Sequence, residues 1–241
     1  GYFSTQSSTL PAAMQTGNLT VRPFSIVTRV LYDKDTKKAT GVEVLDAETN
    51  LTYEFKSKIV FLNASTLNST WVMMNSATDV WQNGLGSSSG ELGHNVMDHH
   101  LAVGAQGTID GYDDKYYSGR RPCGFYIPRF RNWGNGADFK NALAEPGSWN
   151  IGMGGFGEIL PDHRNKVSLD KTVKDKWGLP VLSMDAELQA NELRMRKDMK
   201  QDAMDMLEAA GVKDVKGWDG ESPIGKGIHE MGTARMGRDP K

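Results

Sequence analysis

The sequence contains a single cysteine, Cys123, among 241 residues. One cysteine cannot form a disulfide within the chain, and it cannot supply a metal site built from thiolates. We therefore interpret Cys123 as a buried or half-buried thiol. Neither sign of charge dominates, because 28 basic and 30 acidic residues give a net charge of −2. This balance gives no electrostatic reason to expect binding to nucleic acid or to an anionic membrane.

Long apolar runs are also missing, and none approaches the roughly 20 residues that a bilayer-spanning helix requires. We therefore expect no transmembrane segment. The remaining composition, with 38% apolar and 24% charged residues, is that of an ordinary globular protein. A length of 241 residues allows one large domain or two small ones.

The first part of the chain predicts a strand meander between residues 18 and 65. Its strand-like segments alternate with polar turns; they are Leu19–Arg22, Ile26–Tyr32, Gly41–Asp46 and Leu51–Phe55. Ile59–Leu62 is entirely apolar, which is typical of a parallel strand covered by helices on both faces. A helix is predicted over Leu67–Asn75, and a loop rich in glycine and serine follows over residues 81–90.

From about residue 100 the pattern predicts a mostly antiparallel sheet. Glycine-rich and aromatic strand signals recur at Leu101–Ile109, Gly124–Phe130, Trp149–Leu160, Lys166–Leu169 and Val181–Glu187. An amphipathic helix is predicted over Asn191–Ala210, with Gly211 at its C-terminal cap. Its apolar residues recur at helical spacing and are predicted to face the core; they are Met195, Met199, Ala203, Met206 and Ala210.

Two glycine motifs and one histidine pair suggest chemistry that their context excludes. Gly152-Met-Gly-Gly-Phe-Gly157 matches G-x-G-x-x-G, but Pro161 blocks the helix that a dinucleotide site requires. These glycines indicate instead a strand that passes close to a ligand or to another backbone. The Gly86–Gly90 stretch matches a nucleophile elbow but lacks the preceding apolar strand. His99 and His100 are adjacent, so a strand would point them to opposite faces, and we predict no metal site.

Four segments carry a stronger signal because they occur together in one order. They read Asn18-Leu-Thr-Val-Arg-Pro-Phe-Ser-Ile-Val-Thr-Arg-Val-Leu31, Val60-Phe-Leu-Asn-Ala-Ser65 with its following helix, Leu92-Gly-His-Asn-Val-Met-Asp-His99, and His229-Glu-Met-Gly-Thr-Ala-Arg-Met-Gly237. Histidine is the side chain whose ordinary pKa lies nearest neutrality, so His229 is the first candidate for a general base.

Together these segments resemble the glucose–methanol–choline (GMC) family of flavin oxidoreductases. The last one resembles H-x-x-G-T-x-R-M-G, whose histidine is the active-site base of the family. The first resembles the segment that passes beneath the flavin adenine, and the third resembles V-G-R-N-L-x-D-H. In the third segment Asp98 and His99 match the family residues, whose expected role is to fix the crossing between domains.

The departures from the family pattern favour its sugar and sugar-acid branches. The usual A-A-G-A stretch is Asn63-Ala-Ser-Thr66, the usual S-P is Ser69-Thr70, and the usual arginine of G-R-N is His94. Variation of this kind is similar to gluconate dehydrogenase-like and pyranose-oxidizing members.

The resemblance implies an FAD cofactor and a set of residues that contact it. Val27, Ala64 and Ser65 are expected on its adenine and ribose side. Gly232 and Thr233 are expected to let the backbone approach the isoalloxazine, and His229 is expected to take the proton of an alcohol as its hydride leaves. The second catalytic residue of the family would lie beyond Lys241.

The fold expected from these patterns is α/β plus α+β. Residues 1–98 are predicted to form part of a Rossmann-like FAD-binding domain, with the meander and the buried strand. Residues 99–222 would form an antiparallel-sheet substrate domain, and residues 223–241 a return segment that carries His229. Because no phosphate-binding βαβ unit is recognisable, we expect an internal fragment that is inactive and flavin-free by itself.

Two functions remain in view at this point. One is oxidation of an alcohol group of a sugar or sugar-derived polyol, with electrons passed to an acceptor that the sequence does not identify. The alternative is a non-catalytic α+β module that binds carbohydrate through aromatic side chains such as Trp133, Trp149 and Trp177.

Overall fold

The computed structural model describes residues 3–111 and 149–238. Cys123, the predicted strand Gly124–Phe130 and Trp133 lie outside the described residues. The chain divides into two compact units. Unit 1 comprises Gly1–Met97, Pro161–Ala186 and Glu230–Lys241, and unit 2 comprises Asp98–Leu160 and Glu187–His229.

Unit 1 is built on the predicted meander. Strands β1 (Ser25–Asp33), β2 (Lys38–Asp46) and β3 (Thr52–Lys56) form an antiparallel sheet in the order β1-β2-β3. Helix α1 (Thr9–Gln15) precedes the sheet, and helix α2 (Ser65–Asn75) packs on β1. Val30, Val44 and Val72 are buried, and the backbone N–H of Val30 donates to Ser76 Oγ at 2.8 Å. The C-terminal end of α2 is therefore fixed to the sheet.

Two predictions for unit 1 are wrong. Leu19–Arg22 is irregular, and Ile59–Leu62 forms no strand. Ile59 is 67% exposed and Phe61 is 77% exposed. A parallel strand buried on both faces needs strands beside it and helices over it. No described strand pairs with Ile59–Leu62, so Ile59 and Phe61 stay uncovered, whereas Val60 and Leu62 are half-buried.

Unit 2 is a three-stranded antiparallel sheet with one long helix packed on it. Strands β4 (His99–Ile109), β5 (Trp149–Glu158) and β8 (Lys213–Asp219) lie in the order β5-β4-β8. Helix α3 (Ala190–Ala209) packs against all three strands. Ala105, Ala203, Leu207 and Val212 form the buried core of this packing.

The prediction of one sheet through residues 101–187 is wrong in its second half. Strands β6 (Lys166–Lys174) and β7 (Pro180–Asp185) pair only with each other among the described strands, and they belong to unit 1. The cause lies in the backbone just before β6. Val96 N–H donates to Asn165 C=O at 3.0 Å, and Val167 N–H donates to Gly93 C=O at 2.8 Å. These bonds hold β6 to residues 93–96, which are also in unit 1.

Helix α3 is predicted within one residue at each end, but its buried face is more polar than expected. Glu192 and Arg196 are buried with Ala203 and Leu207, whereas Met206 is 54% exposed. Gly211 has a φ of +81°, a left-handed conformation that glycine adopts readily after a helix end.

Every strand pairing among the described residues is antiparallel. The described structure is thus a mixed α/β fold with antiparallel sheets. No helix in residues 3–111 or 149–238 is both long enough and apolar enough to cross a membrane.

Candidate functional site

His229 lies in unit 2 with its ring against that of His99. The two ring centroids are 5.0 Å apart and the ring planes meet at 81°, an edge-to-face arrangement. His229 is exposed, whereas His99 is half-buried at the start of β4. His99 Nδ1 lies 3.4 Å from the carbonyl oxygen of Gly157. The candidate base is thus open to solvent on one side and bounded by a second imidazole on the other.

The segment leading to His229 is tied to the carboxylate of Asp98. Oδ2 of Asp98 accepts the backbone N–H groups of Gly225 at 2.9 Å and Gly227 at 2.8 Å. Oδ1 accepts the N–H of His99 at 2.7 Å. Asp98 is completely buried, and these three backbone N–H groups compensate its carboxylate. One buried carboxylate therefore connects the start of β4 with the approach to His229.

The residue immediately before His229 adopts an unusual backbone conformation. Ile228 has a φ of +69° although its side chain is β-branched, and it is 84% exposed. A left-handed conformation costs such a residue about 1–3 kcal/mol, which the surrounding contacts must offset. Strain of this kind is common where a functional side chain must be aimed.

Two glycines of β5 allow close packing of side chains, where the sequence predicted the approach of a ligand or of another backbone. A Cβ at Gly157 would overlap the ring of His100, and a Cβ at Gly155 would lie too close to Cε of Met199. The G-x-G-x-x-G match is therefore part of a strand, and its glycines admit neighbouring side chains.

His100 is the buried member of the histidine pair. Its Nδ1 has no hydrogen-bond partner among the described residues, and its Nε2 lies 3.3 Å from Sδ of Met195. Burial lowers the pKa of His100 below its ordinary value, and the nearby Arg196 charge adds to the effect. His99 contacts His229 and the carbonyl oxygen of Gly157, whereas His100 contacts Met195 of α3.

Gly232 and Thr233 belong to unit 1, where both are packed against residues 93–96. A Cβ at Gly232 would overlap the carbonyl oxygen of Asn95, and its φ is +89°. Thr233 is 1% exposed, its hydroxyl lies 2.6 Å from that of Thr70, and its N–H donates to His94 C=O at 3.0 Å. A glycine is therefore required at position 232, because the backbone of Asn95 leaves no room for a Cβ.

Val27 and Ala64 line one open cavity of about 510 Å³ within unit 1. Residues from β1, α2 and the turn before β7 surround it, and most of them are apolar. Trp71 and Trp177 contribute to the walls, and Asn68 supplies an amide. Ser65 follows Ala64 as the first residue of α2, with a φ of +60°. The structure thus brings Val27 and Ala64 together, and it puts Ser65 beside them in the chain.

The sequence did not predict that the residues lining this cavity come together. Trp71 donates its indole N–H to Pro180 C=O at 2.6 Å, which joins α2 to β7. Trp177 donates to Ala47 C=O at 3.2 Å, and the ammonium of Lys176 lies 4.2 Å from the Trp177 ring centroid. The two hydrogen bonds join residues that are 109 and 130 positions apart in the sequence. No local pattern signals a contact of that kind.

The aromatic residues suggested for carbohydrate binding that the structure describes are divided between the two units. Trp149 is in unit 2, while Trp177 is in unit 1 with a lysine over its ring. Within the same described ranges, no group of three His, Cys, Asp or Glu residues could hold a metal ion.

Two curated relatives resemble this chain over most of its length. The 2-methyl-1,2-propanediol dehydrogenase of Mycolicibacterium austroafricanum is 28% identical over 236 residues, covering 85% of this chain and 43% of the relative. The gluconate 2-dehydrogenase flavoprotein of Pantoea cypripedii is 25% identical over 275 residues, covering 96% of this chain and 44% of the relative. The chain therefore spans less than half the length of these relatives.

The family comparison covers both units. The N-terminal family model described as GMC oxidoreductase matches residues 2–101. The C-terminal model of the same description matches residues 161–241. With the four motifs in family order and these two matches, the chain belongs to the GMC oxidoreductase family.

Proposed function

We propose that this chain is part of a longer FAD-dependent oxidoreductase that oxidises an alcohol group of a sugar or sugar-derived polyol. Family membership supports the reaction class. One relative is named for a diol and the other for gluconate, which supports a polyhydroxylated substrate. The observation that carries the proposal is the position of His229, which is exposed and backed by a second imidazole.

The residues of unit 1 fit the adenosine half of FAD. Binding pockets for small molecules are commonly about 300–1,000 Å³ and mostly apolar, and the cavity beside Val27 and Ala64 has both properties. Ala64 stands at the N-cap of α2 and offers no side-chain cap, which leaves first-turn N–H groups for water or a ligand. Ser65 would lie on the ribose side. We further propose that Gly232 and Thr233 approach the isoalloxazine through their backbone.

The proposed chemistry divides between cofactor and protein. The hydride acceptor for the alcohol carbon would be supplied by FAD when it is bound. His229 accepts the hydroxyl proton at a neutral imidazole nitrogen, so that the carbon–oxygen bond becomes a carbonyl. The exposed side of His229 leaves room for the hydroxyl, and its packed side limits rotation of the ring. Residues 1–98 would then serve as the FAD-binding segment and residues 223–241 as the return segment. Residues 99–222 would bind substrate except for residues 161–186, which belong to unit 1 and help to line the cavity proposed for FAD.

The proposal is tested on the whole protein purified with its flavin. Gluconate and 2-methyl-1,2-propanediol are added without oxygen, and the visible absorbance of the flavin is followed. We expect bleaching by a polyhydroxylated substrate and recovery when an electron acceptor is added. A whole protein that binds no flavin, or whose flavin no alcohol reduces, would refute the proposal.

A matched pair of alanine substitutions tests the cavity. Ala64→Leu fills space beside Val27 and should lower the flavin content of the purified protein. Ala209→Leu makes the same change at an exposed position of α3 and should leave the flavin content unchanged. Equal flavin in both variants would remove the cavity from the cofactor site.

A further inference from the structure

We propose that Asp98 and His99 position the ring of His229, so that they act as positioning residues of the proposed active site. The inference rests on the proposed function only for the role of His229. Its structural content is that two adjacent residues at the start of β4 fix the direction of a side chain 130 positions later in the chain.

The approach to His229 has no regular secondary structure that could hold it. Residues 220–230 contain only turns and bends. Their order must therefore come from contacts outside the segment, because a short irregular segment otherwise samples many conformations. Hydrogen bonds to residues 98–101 help to order the segment. Besides the two bonds to Asp98, Ser222 Oγ accepts the N–H of Leu101 at 2.6 Å.

The fit at Gly227 shows how closely the segment is held. A Cβ on Gly227 would overlap the carboxylate of Asp98. Gly227 is buried, whereas Ile228 directly after it is 84% exposed with a φ of +69°. The exposed Ile228 side chain has little contact that could hold this backbone. The bonds from Gly225 and Gly227 to Asp98 are among the contacts that offset its strain, on the side that leads into Ile228.

His99 provides the second contact, on the ring itself. Its own N–H is bound to Asp98 Oδ1, and its Nδ1 lies near the carbonyl of Gly157 on β5. A ring held at its backbone and at one nitrogen presents a fixed surface. Edge-to-face packing at 5.0 Å favours one orientation of the His229 ring over free rotation. Asp98 thus fixes the backbone of the segment, and His99 fixes the side chain.

The test follows the His229 imidazole in the 241-residue chain, without flavin. The chain is labelled with ¹⁵N-histidine, and long-range ¹H–¹⁵N spectra report the environment of each ring. Carbethoxylation by diethyl pyrocarbonate, read by peptide mass spectrometry, reports the accessibility of His229. The variants are His99→Ala, which removes the ring, and His99→Phe, which keeps an aromatic ring. His163→Ala is the control, because it removes an exposed histidine of unit 1.

We expect His99→Ala to shift the His229 ring signals and to raise its carbethoxylation rate about 2- to 10-fold, the range for losing one aromatic pair. His99→Phe should return both readings close to those of the parent chain, and His163→Ala should change neither. Unchanged His229 readings in His99→Ala, or a His99→Phe variant that behaves like His99→Ala, would overturn the role of His99.

Asp98→Asn tests the other half of the proposal. An amide has one acceptor oxygen, so it cannot accept all three N–H groups that the carboxylate accepts. We expect faster hydrogen exchange at Gly225 and Gly227 together with shifted His229 ring signals. Faster exchange with unchanged His229 signals would show that the backbone bonds do not set the ring.

Failure of this inference and failure of the proposed function give different results. If His229→Asn leaves flavin reduction intact in the whole protein, His229 is not the base, while the ring measurements still stand. If His229→Asn abolishes reduction but His99→Ala leaves the His229 readings unchanged, the base role stands and the positioning role falls.

Discussion

At the scale of single residues, neighbouring atoms decide whether a glycine of unit 2 could carry a side chain. Gly157 faces the ring of buried His100, and a Cβ there would overlap that ring. Gly152 lies on the same strand, but its Cβ would meet Ala105 oxygen and Gln106 Cβ at an ordinary 3.5 Å. The two positions therefore differ in available space and share the same secondary structure.

This difference predicts the outcome of a paired substitution. Gly157→Ala should reduce the free energy of unfolding by about 1–3 kcal/mol, because a well-packed neighbour must move. Gly152→Ala should change it by less than about 1 kcal/mol, since the added methyl makes only ordinary contacts. Urea denaturation of both variants measures the effect. Equal stability would show that the His100 ring yields easily.

His100 also predicts how stability depends on pH. Burial first, then the charge of Arg196 and the neighbouring His99, lowers its pKa below 6.5, while Glu192 and Asp219 oppose the shift. The unfolded chain therefore takes up the proton before the folded chain does. Stability should fall as the pH drops below about 6.5 toward the folded pKa.

His100→Leu removes this titration without leaving a strong hydrogen bond unmet. In residues 3–111 and 149–238, Nδ1 has no hydrogen-bond partner and Nε2 lies near the sulfur of Met195. We expect the difference in unfolding free energy between pH 7.5 and pH 5 to be smaller in the variant than in the parent chain. Thermal denaturation at the two pH values checks it. An identical pH dependence in both proteins would contradict this account of His100.

At the scale of elements, α3 is held by a buried polar network as well as by apolar packing. Arg196 is 4% exposed and donates to the carbonyls of Leu101 and Gly220, each at 2.6 Å, and to the carboxylate of Asp219. Glu192 accepts the N–H of Leu160 at 3.3 Å. These bonds all reach the end of the sheet at which β4 begins and at which β5 and β8 end, and this end carries His99.

Arg196→Met should therefore lower the unfolding free energy by about 2–3 kcal/mol, because buried acceptors lose a charged donor. Arg194→Met makes the same change at an exposed position of the same helix and should cost under about 0.5 kcal/mol. Chemical denaturation of the two variants compares them directly. A stable Arg196→Met chain would show that apolar packing alone holds α3.

The elements most accurately predicted were those with a clear local period. β1, β2, β3 and α3 follow alternation or helical spacing, and the structure has each within a few residues. The prediction of a buried strand at Ile59–Leu62 failed because burial of that strand depends on neighbouring strands, which no local pattern encodes. The prediction that β6 and β7 belong to the main sheet failed for a similar reason. Their separation from that sheet depends on backbone hydrogen bonds to residues 93–96.

The candidate site was predictable in part for the same physical reason. His229 can be recognised from a short sequence motif, and the glycines of that motif can be read directly from the sequence. The hydrogen bonds from Gly225 and Gly227 to Asp98 join residues that are 127 and 129 positions apart in the sequence. No local sequence pattern therefore predicts that these residues are bonded. Asp98 was expected to fix a crossing between domains, and the structure gives it partners within unit 2.

At the scale of the whole molecule, unit 1 carries large apolar side chains that the described structure leaves uncovered. Phe55 is 45% exposed and Leu51 is 57% exposed, in addition to Ile59 and Phe61. Scattered exposed apolar residues are normal, but several close in sequence are a common cause of association. This chain spans less than half the length of its relatives. In the longer protein proposed above, we expect further residues to cover these side chains.

Replacing both Ile59 with Thr and Phe61 with Ser should therefore reduce self-association of the 241-residue chain without lowering its unfolding free energy by more than about 1 kcal/mol. Light scattering and urea denaturation provide the two readings. The same pair of changes in the whole protein should instead destabilise it, since both side chains would be buried there. No effect in the whole protein would refute the proposed covering.

The central claim is that His229 takes the substrate proton, and the rate of flavin reduction tests it most directly. The whole protein with bound FAD is mixed anaerobically with its alcohol substrate, and the reduction rate is compared among the parent, His229→Asn and His163→Asn. A general base contributes about 10²- to 10⁴-fold, so His229→Asn should be slower by that factor with its flavin retained. His163→Asn should reduce at the parent rate. Reduction of His229→Asn at a rate near that of the parent would contradict the claim.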